Sequence, residues 1–204
     1  GMLKTYKNNV LACMILSTST RKGQFDIEEA DTFLYALAPL PYTTGLIPLA
    51  LTDEINVEFL PPVKDAVKLS FSERNKKGFK MGLRRGIDFF FGLGSVAYYV
   101  SLSVTKMSEG DKKGGTLKKI LSMSPSMLVR YIKAKNKCRK EKRELKPKDL
   151  FQLKGFVCAG TDNRCYKDDL EDLWGVRPIE VFSGTEPSCI GIETWTRNGL
   201  YFFP

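Results

Sequence analysis

Residues 181–186 (Val-Phe-Ser-Gly-Thr-Glu) bring an aromatic ring, hydroxyl groups and a carboxylate together directly after an apolar run. Phe182 can stack on a base, the turn at Ser183, Gly184 and Thr185 offers N–H and hydroxyl donors, and Glu186 suits Mg²⁺. A nucleotide phosphate needs these groups. The alternative interpretation is a polar turn with a solvated Glu186.

Residues 157–163 (Val-Cys-Ala-Gly-Thr-Asp-Asn) form a second segment of this kind, in which a strand pattern leads through a turn into a helix pattern. The small Ala159 and Gly160 would let a flat ligand lie against the backbone. Thr161 or Asp162 can cap the helix and present its first N–H groups to a ligand. Helix capping alone is the other explanation of Asp162.

Residues 38–46 (Ala-Pro-Leu-Pro-Tyr-Thr-Thr-Gly-Leu) form the third segment. Its two prolines fix the direction in which the chain leaves a predicted strand. Tyr42 offers an aromatic face and a hydroxyl group, and Gly45 permits close approach by another group. The alternative is a rigid turn in which Tyr42 is a core aromatic residue.

The elements that position these segments alternate between apolar, β-rich runs and helical patterns, which predicts an α/β fold with a mainly parallel sheet flanked by helices. The three segments then lie beyond the carboxyl ends of strands, where such sheets bind ligands. The predicted strands are Thr32 to Ala38, Asn56 to Leu60, Ile87 to Phe91, Gly155 to Ala159 and Pro178 to Phe182. The predicted helices are Tyr6 to Leu16, Thr44 to Leu51, Val63 to Arg85, Ser95 to Lys106, Leu128 to Arg143 and Asn163 to Trp174.

Composition excludes several classes of chemistry. The 204 residues contain no histidine, so Ser-His-Asp or Cys-His catalysis and histidine-ligated metals are excluded within this chain. The five cysteines never occur in C-x-x-C spacing, which argues against a disulfide framework or a zinc site. No run approaches about 20 apolar residues and no signal-peptide pattern begins the chain, so we expect a soluble, cytoplasmic protein.

The net charge of +9 belongs to one segment, because residues 112–148 hold 14 of the 32 Lys and Arg but only two of the 23 Asp and Glu. Residues 107–127 combine Gly, Ser, Pro and Lys, a composition that predicts a mobile connection or a loosely packed insertion. The helix that follows either has a solvated basic face, the preferred interpretation, or contacts RNA or anionic lipid. We therefore predict three parts: residues 1–110 of the α/β core, a basic, partly flexible helical insertion at 111–148, and a second α/β unit at 149–204.

The three segments, taken in order, resemble the core of the adenylate-forming superfamily, which contains acyl-CoA synthetases, luciferases and nonribosomal-peptide adenylation domains. Residues 39–46 resemble its Pro-x-Phe-His-x-x-Gly-Leu segment, with Tyr42 at the histidine position. Residues 159–161 are similar to the turn that lies along adenine, and residues 182–186 resemble the Tyr-Gly-x-Thr-Glu motif. Residues 86–95 resemble the strand and turn before the acyl-pocket helix.

P-Y-T-T-G, I-D-F-F-F-G, C-A-G-T-D and I-E-V-F-S-G-T-E, in this order, more closely resemble bacterial relatives of the auxin-responsive Gretchen Hagen acyl-acid-amido synthetases. The sequence departs from the motif at Ser183, which replaces a glycine, and at Phe182, which lacks the tyrosine hydroxyl. Residues 17–23 imitate the family's phosphate loop in composition, but they follow the first helix and are not assigned to it. The likeness spans about residues 10–204.

The resemblance implies an internal piece of the large N-terminal domain of an ATP-dependent, AMP-forming acyl-acid ligase, in which residues 1–110 are the acyl-pocket side and residues 149–204 the adenine side. It implies ATP or AMP and Mg²⁺ as cofactors, a small carboxylic acid as substrate, and an amine or CoA as acceptor. The implied catalytic residues are Thr185 and the metal ligand Glu186. The implied nucleotide-binding residues are Ala159, Gly160, Thr161, Asp162, Phe182, Ser183 and Gly184. The implied acyl-pocket residues are Tyr42, Gly45, Gly92 and Ser95.

Two expectations about partners accompany this assignment. By itself the chain is expected to be inactive and to need the N- and C-terminal segments of a parent enzyme, which would carry the phosphate loop and the catalytic lysine. Nucleic acid is not an expected partner. The alternative function is a binding or scaffold protein that keeps a degenerate adenylating core and uses its basic segment to contact RNA or an anionic membrane.

Overall fold

The computed structural model of the chain describes residues 2–52, 54–106, 120–160, 163–184 and 189–202. In these residues the helices are α1 Met2–Thr18, α2 Ile47–Thr52, α3 Val63–Ala66, α4 Phe71–Arg85, α5 Gly94–Thr105, α6 Pro125–Glu141, α7 Pro147–Leu150 and α8 Asn163–Trp174. The strands are β1 Thr32–Ala36, β2 Glu58–Leu60, β3 Phe89–Leu93, β4 Gly155–Ala159, β5 Ile179–Phe182, β6 Gly191–Glu193 and β7 Leu200–Phe202. A 3₁₀ turn, Thr43–Leu46, precedes α2.

The strands form one seven-stranded sheet in the order β2-β1-β3-β4-β5-β6-β7. The first five strands in this order pair in parallel, and β6 and β7 add an antiparallel edge. The predicted α/β fold with a mainly parallel sheet flanked by helices is confirmed. All five predicted strands are present, although β3 begins and ends two residues later than predicted. The short strands β6 and β7 were not predicted.

Helices cover both faces of the sheet, so alternate residues of each central strand are buried on opposite sides. Along β1, Phe33 and Tyr35 pack toward α1 and α2, while Leu34 and Ala36 pack toward α4. Double burial explains why the strands are continuous apolar runs and not alternating ones. Aromatic rings join neighbouring strands on the α1 side, where Phe33 and Phe89 stack with centroids 5.8 Å apart.

Polar side chains fix the amino ends of the parallel strands. Asp88, from the predicted I-D-F-F-F-G segment, accepts hydrogen bonds from the backbone N–H and hydroxyl of Thr32, each 2.8 Å long. Lys154 donates to Glu28 at 2.6 Å and to Asp31 at 2.9 Å. These contacts lie at the end of the sheet opposite the three candidate segments, so they align the strands.

Helix capping corrects two predicted boundaries. The single predicted helix Val63 to Arg85 is wrong, because α4 starts anew after Ser70, which forms a reciprocal capping box with Glu73. Helix α6 begins three residues before its predicted start. Ser124 caps it by accepting a hydrogen bond from the N–H of Met127, and Pro125 occupies the first turn.

The basic segment forms a helix with one buried side. Met127, Tyr131, Ala134 and Cys138 recur at helical spacing and pack into the core. The basic residues between them point outward: Arg130, Lys133, Lys135, Lys137, Arg139 and Lys140 are exposed. Both interpretations of this helix, a solvated basic face and a face that contacts RNA or anionic lipid, require these side chains to be exposed, so the preferred one stays a prediction. Residues 107–119 of the predicted insertion lie outside the described residues.

Strands β1–β3 and β4–β7 come from the first and third predicted parts of the chain, and they share one sheet. The three-part division itself stays a prediction. Within the described part of the chain, no helix combines the length and apolar character needed to cross a membrane.

Candidate functional site

A cleft of about 540 Å³ opens beyond the carboxyl ends of β1, β3, β4 and β5, with helix α1 as a further wall. This is where parallel α/β sheets bind ligands, and the volume falls within the range of about 300–1,000 Å³ typical of small-molecule sites. The lining residues are Tyr6, Asn9, Val10, Cys13, Leu37, Ala38, Pro39, Tyr42, Thr43, Thr44, Ile47, Phe71, Phe91, Leu93, Ala159, Gly160, Val181, Ser183, Gly184 and Cys189.

Two buried tyrosines fix the 38–45 loop at the cleft wall. Tyr6 of α1 donates its hydroxyl hydrogen bond to the carbonyl of Thr43 at 2.7 Å, and Tyr35 of β1 donates to the carbonyl of Thr44. The hydroxyl of Thr44 donates in turn to the carbonyl of Ala38 at 2.8 Å. Burial raises the pKa of both tyrosines, so both hydroxyls remain donors through the physiological range. The loop is therefore held in one shape.

Tyr42 and Gly45, both predicted acyl-pocket residues, have different positions on this loop. Tyr42 lines the cleft, and with 61% of its surface exposed it is a rim residue and not a core aromatic. Gly45 lies against the loop's own backbone, because a Cβ there would come within 2.3 Å of the Leu40 nitrogen. Gly45 lines a smaller neighbouring pocket. The group that approaches Gly45 closely is therefore the backbone of its own loop, at Pro39 and Leu40.

The turn after β4 supplies Ala159 and Gly160 to the cleft, as predicted for a wall along a flat ligand. Gly160 has a φ of +117°, a conformation that a residue with a side chain rarely adopts. Asn163 organises this turn: its amide group donates to the carbonyl of Gly160 at 2.8 Å, and its oxygen accepts from the N–H of Gly94 at 3.2 Å. One side chain thus joins the turns that follow β3 and β4.

The end of β5 divides its residues between the two faces of the sheet. Val181 is buried and lines the cleft, followed by Ser183 and Gly184. The intervening Phe182 alternates to the other side, is 44% exposed, and meets the ring of Phe202 edge-on at 6.5 Å. Phe182 is absent from the described lining of the cleft.

Four predicted site residues lie outside the described residues: Thr161, Asp162, Thr185 and Glu186. Two further predicted acyl-pocket residues, Gly92 and Ser95, are described by the structure. Gly92 faces the α4 side of the sheet, because a Cβ at this position would come within 2.8 Å of the Ala36 Cβ. Ser95 is exposed in the first turn of α5. Neither belongs to the described lining of the cleft.

Two thiols also line the cleft: Cys13 on α1 and Cys189, which follows the candidate 182–186 segment. A side-chain interaction with Cys13 lowers the pKa of Cys189. The same interaction, together with burial, raises the pKa of Cys13. Cys189 therefore forms the reactive thiolate more readily than Cys13 does.

The chemistry of the lining suits one part of a nucleotide more than another. The described lining residues are neutral, and most are apolar, with hydroxyl and amide groups among them. Such a surface fits a flat, uncharged base or nucleoside. For phosphate or Mg²⁺, the described lining offers no cationic side chain, and the described residues contain no cluster of three or more metal-ligating side chains.

Sequence reasoning missed the contribution of α1 and of Asn163. Tyr6, Val10 and Cys13 recur at helical spacing, a pattern that predicts a shared face but not which surface that face meets. Asn163 was predicted only as the first residue of a helix. Its bond to Gly94 joins residues 69 positions apart, and no local pattern indicates such a contact.

Comparison with known proteins shows that the fold of this chain is similar to part of a solved structure. No protein-family profile matches the chain, and no curated protein matches it. Among solved structures, the chain is similar to a 2-hydroxyisobutyryl-CoA ligase in an open conformation, in complex with 2-HIB-AMP and CoA. The TM-score is 0.55 and the sequence identity 16%, over 98% of this chain and 36% of the ligase. The chain therefore spans about a third of that protein, and its fold is similar to the fold of the matching part of the ligase.

Proposed function

We propose that this chain forms the adenine-binding wall and part of the acyl side of an ATP-dependent, AMP-forming acyl-acid ligase. One observation carries the proposal: a single cleft at the carboxyl edge of the sheet is lined by residues from all three candidate segments, at 38–46, 157–163 and 181–186. The fold likeness to a ligase in complex with 2-HIB-AMP supports it independently.

Ala159, Gly160 and Val181 form the surface on which the adenine would lie in this proposal. They are small or apolar, and Gly160 brings backbone to the cleft without a side chain. Ser183 and Gly184 continue the wall. Thr185 and Glu186, the next residues in the sequence, would supply the α-phosphate and Mg²⁺ contacts. Phe182, whose ring packs on Phe202 outside the described lining of the cleft, has no part in this wall.

The proposed reaction joins a carboxylate to the nucleotide. A carboxylate oxygen of the acid attacks the α-phosphorus of ATP, a P–O bond forms, and the bond to pyrophosphate breaks, giving an acyl-adenylate. The residues of this chain contribute by holding the reactants in place, because positioning can supply much of the rate enhancement. The rigid 38–45 loop, fixed by Tyr6 and Tyr35, and the turn fixed by Asn163 are suited to that role.

The acceptor that displaces AMP distinguishes two branches of this proposal. The solved ligase was captured with CoA, which favours a thioester product. The closer resemblance of the candidate segments to the Gretchen Hagen acyl-acid-amido synthetases favours an amide. An assay of the parent enzyme distinguishes these branches. A preformed acyl-adenylate is mixed with CoA or with amino acids, and the acceptor that releases AMP identifies the product.

Calorimetric titration with AMP and then MgATP tests the nucleotide wall. We expect saturable binding of AMP to the chain and its loss in Ser183→Trp, because the indole would fill the cleft beside Gly184. Ser126→Trp, the same substitution at an exposed serine of α6 outside the described cleft lining, should bind AMP as the parent sequence does. Absence of AMP binding, or equal binding by Ser183→Trp, would contradict the proposal.

A further inference from the structure

A second, much smaller pocket lies beside the cleft. It has a volume of about 60 Å³, and the 38–45 loop separates the two, since Pro39 lines both. Its walls are almost entirely apolar and include Leu49, Phe59, Pro61, Val63 and Val67. One charged side chain, Arg74 of α4, also lines it, and we refer to it as the Arg74 pocket.

Arg74 is buried without a matching anion. Only 3% of its surface is exposed. Its Nε and Nη2 atoms have no hydrogen-bond partner among the residues that the structure describes. No carboxylate of those residues pairs with it. Its contacts are with aromatic rings: the guanidinium carbon lies 5.0 Å from the centroid of Tyr35 and 5.9 Å from that of Phe71.

This environment is unfavourable for an isolated cation. Burial lowers the pKa of Arg74. The guanidinium has lost its hydration, and the surrounding protein groups do not fully replace the stabilisation that water would give to the charge. The aromatic faces supply only part of the missing stabilisation. Neutral alternatives such as methionine would fill the same space at less cost. An unpaired guanidinium that lines a cavity is therefore best explained by an anion that enters the cavity.

The pocket also restricts which anion can enter. A guanidinium pairs best with a planar carboxylate through two parallel N–H···O bonds. For the further oxygens of phosphate or sulfate, the only other side-chain donor in the described lining is the hydroxyl of Tyr35, which already donates to the Thr44 carbonyl. The volume corresponds to roughly four or five water-sized probes, too little for a nucleotide. Arg74 also lies in the first turns of α4, where the helix dipole favours negative charge.

We infer that the Arg74 pocket binds a short-chain monocarboxylate of about two to four carbons. The carboxylate pairs with the guanidinium of Arg74, and the alkyl group lies against Phe59 and Val63. The site is separate from the nucleotide cleft and does not depend on the proposed function. Because Pro39 and Gly45 of the 38–45 loop line it, a bound acid would rest against the loop that also forms the cleft wall.

Saturation-transfer NMR titration with sodium propionate tests this site, with propionamide as the neutral match and sodium phosphate as the alternative anion, all at one ionic strength. We expect saturable propionate binding, at least about tenfold weaker propionamide binding because the charged pair is lost, and no competition by phosphate. Propionate should still bind at saturating AMP. Equal binding of propionamide, or displacement of propionate by AMP or phosphate, would overturn the inference.

Two pairs of variants assign the binding to Arg74. Arg74→Met should abolish propionate binding, whereas Arg130→Met, at an exposed arginine of α6, should leave it unchanged. Val67 is exposed at the pocket rim, so Val67→Trp should block entry without changing Arg74, and Val129→Trp on α6 is its control. If Arg74→Met does not fold, the Val67 pair decides. Propionate binding by a folded Arg74→Met or by Val67→Trp at the parent level would refute the site.

Discussion

Cys13 and Cys189 differ in ionisation although they line the same cleft, because the interaction between their side chains lowers the pKa of Cys189 and raises the pKa of Cys13. A lowered pKa means that the Cys189 thiolate persists as the pH falls, to values at which an ordinary thiol is protonated. The reactive form of a cysteine is the thiolate. Burial raises the pKa of Cys138 and Cys158, adds to the effect of Cys189 in raising the pKa of Cys13, and shields all three thiols from reagents.

Alkylation of the folded chain with iodoacetamide should therefore modify Cys189 and the exposed Cys165 well before the three buried cysteines. AMP at about ten times its Kd should slow the reaction of Cys189 about tenfold, since only the unliganded chain reacts. Peptide mass spectrometry over time measures each site. Cys165, which is absent from the described lining of the cleft, is the internal control and should not respond to AMP. Equal slowing of both cysteines would show that the nucleotide does not occupy the cleft.

At the scale of elements, Asn163 links two turns that carry candidate site residues. Asn163→Ala removes its hydrogen bonds to Gly94 and Gly160 and leaves a buried N–H without that partner. We expect a loss of about 1–3 kcal/mol in the free energy of unfolding, measured by urea denaturation. Because Gly160 lines the cleft, AMP affinity should fall as well.

Asn136→Ala is the matched control, because Asn136 is exposed on α6, and its effect should stay within about 0.5 kcal/mol. A stability loss in Asn163→Ala with unchanged AMP affinity would separate the structural role of the turn from its proposed contact with nucleotide. An Asn163→Ala variant as stable as the parent would show that the two hydrogen bonds do not hold the turn.

The same elements show what the sequence could predict. Long apolar runs such as residues 155–159 predict strands reliably in this chain, because a parallel sheet buried on both faces requires them. The three-residue β6 and β7 produce no such run, and their pairing depends on contacts with β5. Arg74 lies in a polar, helix-forming stretch, so its sequence context predicts a solvated charge. Its burial results from how the start of α4 packs against Tyr35.

At the scale of the whole molecule, a buried ion pair joins the helical layer to the antiparallel edge of the sheet. Lys167 of α8 pairs with Glu193 of β6, with 6% and 2% of their surfaces exposed. Glu193 also accepts hydrogen bonds from the backbone N–H groups of Glu180, at 2.8 Å, and Gly199, at 3.1 Å. This one carboxylate therefore connects α8, β5, β6 and the approach to β7, and it fixes both ends of the chain segment that contains the 182–186 motif.

Lys167→Met should leave the Glu193 carboxylate buried without its cation and lower the free energy of unfolding by about 3–5 kcal/mol. The double variant Lys167→Met, Glu193→Met removes both charges and should recover part of that loss, although the N–H groups of Glu180 and Gly199 then lack an acceptor. Lys77→Met, which breaks the exposed pair with Asp65, should cost less than about 1 kcal/mol.

Urea denaturation of the four proteins measures these differences, and AMP titration of each measures their effect on the cleft. Because the ion pair fixes the β5–β6 connection, Lys167→Met should weaken AMP binding under conditions in which circular dichroism shows the sheet still folded. Lys77→Met should bind AMP as the parent does. If Lys167→Met costs no more than Lys77→Met, the buried pair does not hold the antiparallel edge, and the position of residues 182–184 beside the cleft must depend on the β5–β6 backbone pairing alone.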